Sequence, residues 1–221
     1  QGFATTSKKI RKDFSTYLFQ CKYCNHVQLA SEPVQYYKEV VRSVGISDEM
    51  KNYRKKQFED IRKDYFNNSK KIKVLEIGSA SGEYSKILSH TFDQVIATEK
   101  GEQNLKSNLE KEICCINTHP DDPDFSEKLN KFGKFDLICC FSYLEHLPNP
   151  KKTLLLLNKF LKEEGLYLIE LPNSEMIFRR GLLNEVIPDH LSYFTINTSA
   201  ELMSKSCIEV INAKCIWDNY I

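Results

Sequence analysis

The segment VIPDHLSYFT, residues 186–195, sets Asp189 beside His190 just ahead of a Tyr-Phe step. A carboxylate next to an imidazole can move a proton, because histidine has a reference pKa of about 6.5 and so changes charge near working pH. The same pair also suits a polar step in a loop that enters a helix. Another imidazole, His146, stands in LEHLPNP at 144–150. Cys21-Lys-Tyr-Cys24 supplies two thiols. A structural zinc ion normally takes four ligands, so this motif alone is half a site. It also lacks the strand–helix context of a redox dithiol.

The stretch VLEIGSASGEYSKIL, residues 74–88, carries a different chemistry. An apolar strand ends at Glu76-Ile-Gly78, a tight loop continues through Ser79, Ala80 and Gly82, and a helix begins. Glycines there remove Cβ bulk and let a ligand approach the backbone. The Gly-xxx-Gly spacing follows an acidic residue and lacks the third glycine of a dinucleotide loop. Glu83, at the start of the helix, would repel a pyrophosphate. A cofactor without phosphates fits better. The next apolar run ends in Glu99, whose carboxylate can accept hydrogen bonds from both hydroxyls of a ribose.

These residues need a frame. From Lys71 onward, KVLEIGS, QVIATE, ICCIN, FDLICCFS and GLYLIELP read as buried parallel strands. Between them lie the helical candidates GEYSKILSHT, EQNLKSNLEK, DFSEKLNKFG and PKKTLLLLNKFLKEEG, the last with Gly165 as its C-cap. Strands alternating with helices predict an α/β fold, a doubly wound sheet with ligands at the carboxyl ends of its strands. Residues 1–70 differ in texture: the CxxC, then a polar helical stretch from about Pro33 to Asn67. The expected division is therefore 1–70, a CxxC and helical region, and 71–221, a cofactor-binding domain.

Bulk properties exclude little more. A net charge of +1 gives no overall pull toward nucleic acid or an anionic membrane. No apolar run approaches the length of a membrane span. The pairs Cys114-Cys115 and Cys139-Cys140 sit in apolar runs and read as buried, reduced thiols, which points to the cytoplasm.

Glu76-Ile-Gly78-Ser-Ala-Ser-Gly82, Glu99, FDLICCFSYLEHLPNP and GLYLIELPN resemble, in order, the class I S-adenosylmethionine-dependent methyltransferases, over about residues 71–215. The resemblance implies a Rossmann-like methyltransferase sheet. It implies that the loop Gly78–Gly82, with Ser79 and Ala80, holds the methionine part of S-adenosylmethionine and that Glu76 lies near its amino group. It places Glu99 at the ribose, Asn117 beside the adenine, and Phe141 and Ser142 beneath the sulfonium. Ala80 stands where many members carry glycine, a conservative change. His146 is then a pocket-bordering histidine or a second candidate base.

YLFQCKYCNHVQLASEP narrows the resemblance to bacterial methyltransferases that act on nucleotide-linked sugars and carry an N-terminal zinc module. In those, a further cysteine pair completes the site, and no cysteine precedes Cys21 here. The pair could lie outside this sequence, His26 or another residue could replace it, or the module could be a vestige. VIPDHLSYFT resembles the subfamily's acid–His–x–x–Tyr–Phe motif, in which the pair faces the substrate. That implies methyl transfer to a sugar hydroxyl in surface-polysaccharide biosynthesis, with His190 as base and Asp189 meeting substrate or backbone. Ile187 stands where sugar C-methyltransferases carry tyrosine, which favours O- over C-methylation. Arg179-Arg180 could meet a diphosphate, and Tyr36, Tyr37 and Tyr53 either pack or help to close the pocket. The competing expectations are another small-molecule methyltransferase and a non-catalytic subunit that keeps the cofactor fold.

Overall fold

A computed structural model describes residues 17–34, 38, 46–67, 71–100 and 113–221. Tyr36, Tyr37 and the helix expected at 102–111 lie outside the described residues. In chain order the elements are β1 (Leu18–Gln20), β2 (Val27–Leu29), α1 (Asp48–Phe66), β3 (Lys73–Ile77), α2 (Glu83–Thr91), β4 (Gln94–Glu99), β5 (Ile113–Asn117), α3 (Phe125–Asn130), β6 (Phe135–Phe141), α4 (Pro150–Leu157), β7 (Leu161–Glu170), α5 (Ser174–Arg179), β8 (Ser192–Tyr193) and α6 (Ile196–Lys205).

Strands β5-β4-β3-β6-β7 form one parallel sheet in that order. Successive side chains of a strand face opposite sides, and both sides of this sheet are covered. Leu75 and Ile77 point into a cluster with Phe125, Leu129 and Phe160. Val74 points the other way, to a cluster with Phe58 and Phe66 of α1 and Leu88 of α2. The polar N-terminal helix therefore covers one face of the sheet. Ser47 caps it, its hydroxyl accepting from the Met50 N–H at 3.1 Å. Loss of that cap costs about 1 kcal/mol in a typical helix.

The strand order reverses between β3 and β6, and in such a sheet a ligand sits in the crevice outside the carboxyl ends of the strands at that point. The Gly78 loop and the turn after Phe141 border it.

Two local expectations fail. The helix beginning at Pro150 stops at Leu157, and Gly165 lies inside β7 rather than capping a helix. Asn158 draws the chain out of the helix: its amide donates to the Ser206 carbonyl and its Oδ1 accepts from the Tyr167 hydroxyl. Leu161 then pairs with Phe135 across an irregularity, and regular pairing resumes at Leu166. A Cβ on Gly165 would come within 2.8 Å of the Leu161 side chain and 3.0 Å of the Lys162 carbonyl, so any larger residue there would make Leu161 shift. Cys114 is the other exception. Cys139 and Cys140 are buried, but Cys114 is exposed because β5 is an edge strand.

The CxxC region joins the rest by a pairing that no local pattern announces. β1, β2 and β8 form a small antiparallel sheet, and Leu29 N donates to Leu191 O at 3.0 Å. The hairpin bearing Cys21 and Cys24 is thus attached to the chain just after His190. Past α6, the C-terminal residues return to β7's end, where Leu171 and Ile221 exchange backbone hydrogen bonds. Among the described residues no helix is long and apolar enough to cross a membrane.

Candidate active site

The loop after β3 is built on left-handed residues. Gly78 has φ 73°, Ala80 φ 47° and Gly82 φ 80°. Ala80 is thus a strained replacement, not a conservative one: a side chain in this region costs about 1–2 kcal/mol. Gly78 N and Ser79 N both donate to Thr98 O. Glu99, buried, accepts from Ala80 N at 2.6 Å and from Lys100 N at 2.9 Å, one bond to each carboxylate oxygen. A carboxylate has about four lone-pair sites and can accept more than these two bonds.

Glu76 is buried beneath this loop, and Ser85 Oγ donates to it. Burial pushes its carboxyl up to about 7, against the pull of the Ser85 hydroxyl, and the nearby charge of Glu99 adds to the rise. Ser79 Oγ at the loop and Thr118 Oγ1 just past β5 are buried without a hydrogen-bond partner among the described residues. Buried hydroxyls are rarely left so. Asn117, the last residue of the edge strand β5, is exposed, and its carbonyl accepts from Lys128. Phe141 turns its ring down into the packing between Phe58 and Tyr84. Ser142 follows with φ 47°, its N–H held by Glu170 O.

Tyr143 was not anticipated. Its ring lies against Gly78 and also near that of His119, ring centroids 6.0 Å apart. Burial pushes His119 down to about 4, and its Nδ1 accepts from Asp121 N. Arg54 was missed as well. Buried on α1, it pairs with Glu170 at the end of β7 and stacks near the rings of Tyr84 and Phe141 at 4.9 and 4.8 Å. Burial opposes its charge, but Glu170 outweighs that and holds its pKa above the ordinary value. Nothing in a Lys- and Glu-rich helix distinguishes this arginine from its solvated neighbours.

On the acceptor side the structure brings His146, Asp189 and His190 together. The 3-10 turn Leu144–His146 follows Tyr143 directly, and Leu191 N donates to Glu145 O at 2.8 Å, so the two segments are stitched. His146 Nδ1 lies 2.9 Å from the Asp189 carbonyl. A carbonyl only accepts, so Nδ1 carries the proton and Nε2 keeps its lone pair when the ring is neutral. The His146 and His190 rings meet at 4.7 Å, edge to face. Burial, then the charge of His146, pushes His190 down to about 4 against the pull of Asp189. His190 is therefore neutral at working pH. Glu145, buried next to them, is pushed up to about 7 by burial. The Tyr193 hydroxyl accepts from Ile187 N, which holds the turn before the Asp-His pair.

Arg179 and Arg180 both bond Asp218 Oδ2, at 2.7 and 2.6 Å, so their charges are already shared within the chain. Cys21 is exposed and Cys24 half-buried on the β1–β2 turn. His26 packs its ring on Phe194 at 4.8 Å. Among the described residues no third Cys, His, Asp or Glu converges with Cys21 and Cys24. Two thiolates do not make a structural zinc site, so the described residues around Cys21 and Cys24 do not by themselves complete one.

The fold and crevice define a class of protein, and comparison agrees. A family described as "Methyltransferase domain" matches residues 50–211, and the chain belongs to it. A search of curated proteins found no match. Among solved structures, an S-adenosylmethionine-dependent methyltransferase from Archaeoglobus fulgidus is 19% identical, with TM-score 0.52, covering 69% of this chain and 68% of that one. The plantazolicin methyltransferase BpumL, in complex with S-adenosylhomocysteine, is 17% identical, with TM-score 0.56, covering 71% and 64%. The fold is thus that of the class I S-adenosylmethionine-dependent methyltransferases.

Proposed function

We propose that the protein transfers the methyl group of S-adenosylmethionine to a hydroxyl of a sugar, nucleotide-linked or otherwise phosphorylated, of the kind assembled into surface polysaccharide in the cytoplasm. The observation that carries the cofactor part is the pair of buried hydroxyls without a hydrogen-bond partner among the described residues, Ser79 Oγ and Thr118 Oγ1, which follow the carboxyl ends of β3 and β5, with the buried carboxylates of Glu76 and Glu99 on β3 and β4. A cofactor with an ammonium group and a ribose supplies the donors and acceptors such a crevice lacks. Gly78, Ala80 and Gly82 shape the loop around it. Asn117 lies on the adenine side, and Phe141 and Ser142 floor the crevice where the sulfonium would stand.

The cofactor supplies the electrophile, and the protein supplies alignment and a base. His190, neutral and set edge to face with His146, is the candidate base. It takes the hydroxyl's proton as the oxygen–methyl bond forms and the sulfur–methyl bond breaks, leaving S-adenosylhomocysteine. Asp189 meets the acceptor with its partly open carboxylate. The preference for a sugar rests on the likeness of VIPDHLSYFT and the CxxC hairpin to the nucleotide-sugar enzymes. The arginines at 179 and 180 lend it less support than the sequence suggested, since Asp218 engages both.

Turnover assays across a panel of nucleotide sugars test this directly. Methylation of one of them, lost in His190→Ala with cofactor affinity retained, is the expected result. Turnover on phenols or peptides but on no sugar would move the acceptor to another class.

A further inference from the structure

Glu145 is the outstanding side chain of the acceptor cluster. It is 1% exposed, and neither carboxylate oxygen accepts a hydrogen bond from another described residue. An ionised carboxylate in such a place is costly unless a cation or donor meets it. What faces it is two imidazoles. Its Oε1 lies 3.8 Å from His146 Nε2, the nitrogen whose lone pair the Asp189 carbonyl leaves free. His190 completes the group, and one ligand atom from each of Glu145, His146 and His190 lies within 4.8 Å of the others.

From this convergence we propose that Glu145, His146 and His190 bind a divalent first-row transition-metal ion, zinc or a similar ion, at the acceptor side of the crevice. Three features support it independently. The donor set, two imidazole nitrogens and one carboxylate, is one such ions accept. Ligand distances of about 2.0–2.2 Å require the three atoms to draw in by less than about 1 Å. And His146 already has the outer partner typical of a metal-bound imidazole, its other ring N–H given to a backbone carbonyl.

The site is also open where an acceptor would enter: the side chains of His146 and Asp189 remain 27% and 28% exposed. Three protein ligands leave coordination positions for water or for an acceptor oxygen. If the methyl-transfer reading holds, the ion replaces one part of it, the base role given above to His190. A hydroxyl bound to the ion loses its proton to solvent more readily, and the His190 lone pair serves the ion instead of acting as base.

The test uses tag-free, chelator-treated Cys21→Ser/Cys24→Ser chain, so that thiolates do not compete, titrated with cobalt(II) chloride. The readouts are the visible ligand-field absorption and the thermal midpoint. One equivalent should bind, with the midpoint rising as cobalt exceeds its dissociation constant. Glu145→Gln, close in volume, and His190→Ala should each weaken binding by more than the ~10–100-fold that loss of even an outer partner costs. Folded protein that binds no cobalt, or variants that bind it as well as the parent, would overturn the site. A parallel titration with S-adenosylhomocysteine separates the two claims: cofactor binding without cobalt binding sinks only the metal site, and cobalt binding without cofactor binding sinks only the methyltransferase reading.

Discussion

The ring of Tyr143 lies on the open face of Gly78, so close that a Cβ at Gly78 would stand 2.6 Å from Tyr143 Cε2. Gly78 is therefore held to glycine by a side chain of its own protein as well as by its φ of 73°. Tyr143 also begins the turn that carries Glu145 and His146. The contact links the cofactor loop to the acceptor cluster.

Gly78→Ala should consequently cost stability by about 1–3 kcal/mol, the range for overpacking a tight contact, with left-handed strain included. Pairing it with Tyr143→Ala should return the packing part and leave the strain. Urea denaturation of the two single variants and the double variant measures the coupling. Purely additive losses would mean that Tyr143 does not rest on Gly78.

Ala80→Gly should act the other way. At φ 47° the glycine relieves about 1 kcal/mol of strain, partly offset by its larger unfolded-state entropy. A midpoint of thermal unfolding that is unchanged or raised is expected. A fall of several degrees would contradict the left-handed geometry.

Arg54 and Glu170 offer a third test. Removing one member of a buried ion pair leaves an uncompensated charge and costs about 3–5 kcal/mol, whereas replacing both with apolar residues is often neutral. Arg54→Met alone should be severely destabilising, and Arg54→Met with Glu170→Met should recover most of the loss. Because Arg54 lies on α1, the single change should also loosen that helix, seen as faster amide exchange over 48–66.

The raised carboxyl of Glu76 makes a pH prediction. Its folded pKa of about 7 exceeds the ordinary 4.5, so between those values the folded protein holds a proton that the unfolded chain has released. This group's contribution to stability therefore falls as pH rises from about 4.5 to about 7, by a few kcal/mol in order of magnitude. Glu76→Gln should flatten that part of the stability profile. The ionised form is the one that would meet a cofactor ammonium, so affinity for S-adenosylhomocysteine should rise with pH up to about 7 and then level. Affinity independent of pH from 5 to 8 would separate Glu76 from the amino group.

How much of this was legible before the structure depends on range. The parallel strands announced themselves because runs such as Leu137–Cys140 and, with Glu76 as its one polar residue, Val74–Ile77 are buried on both faces and mostly apolar. Glu99 and the glycines followed from their places at strand ends. His146, Asp189 and His190 were each visible as residues, but their meeting depends on Leu191 pairing with Glu145, which no local pattern encodes. The same holds for β2 against β8 and for Arg54 against Glu170. Ala80 was misjudged because its chemistry is bland while its handedness is not. The Pro150 helix was drawn too long because Leu161 continues a helical spacing yet serves a strand.

The central claim is that the crevice between β3 and β6 binds S-adenosylmethionine through Glu99 and the Gly78 loop. Calorimetric titration of the folded protein with S-adenosylhomocysteine tests it most directly, with Glu99→Gln alongside, since glutamine keeps one acceptor for the Ala80 and Lys100 N–H groups. The expected result is one-to-one binding by the parent, weakened at least about tenfold, about 1.4 kcal/mol, in the variant. No binding by the folded parent, or equal binding by both, would contradict it.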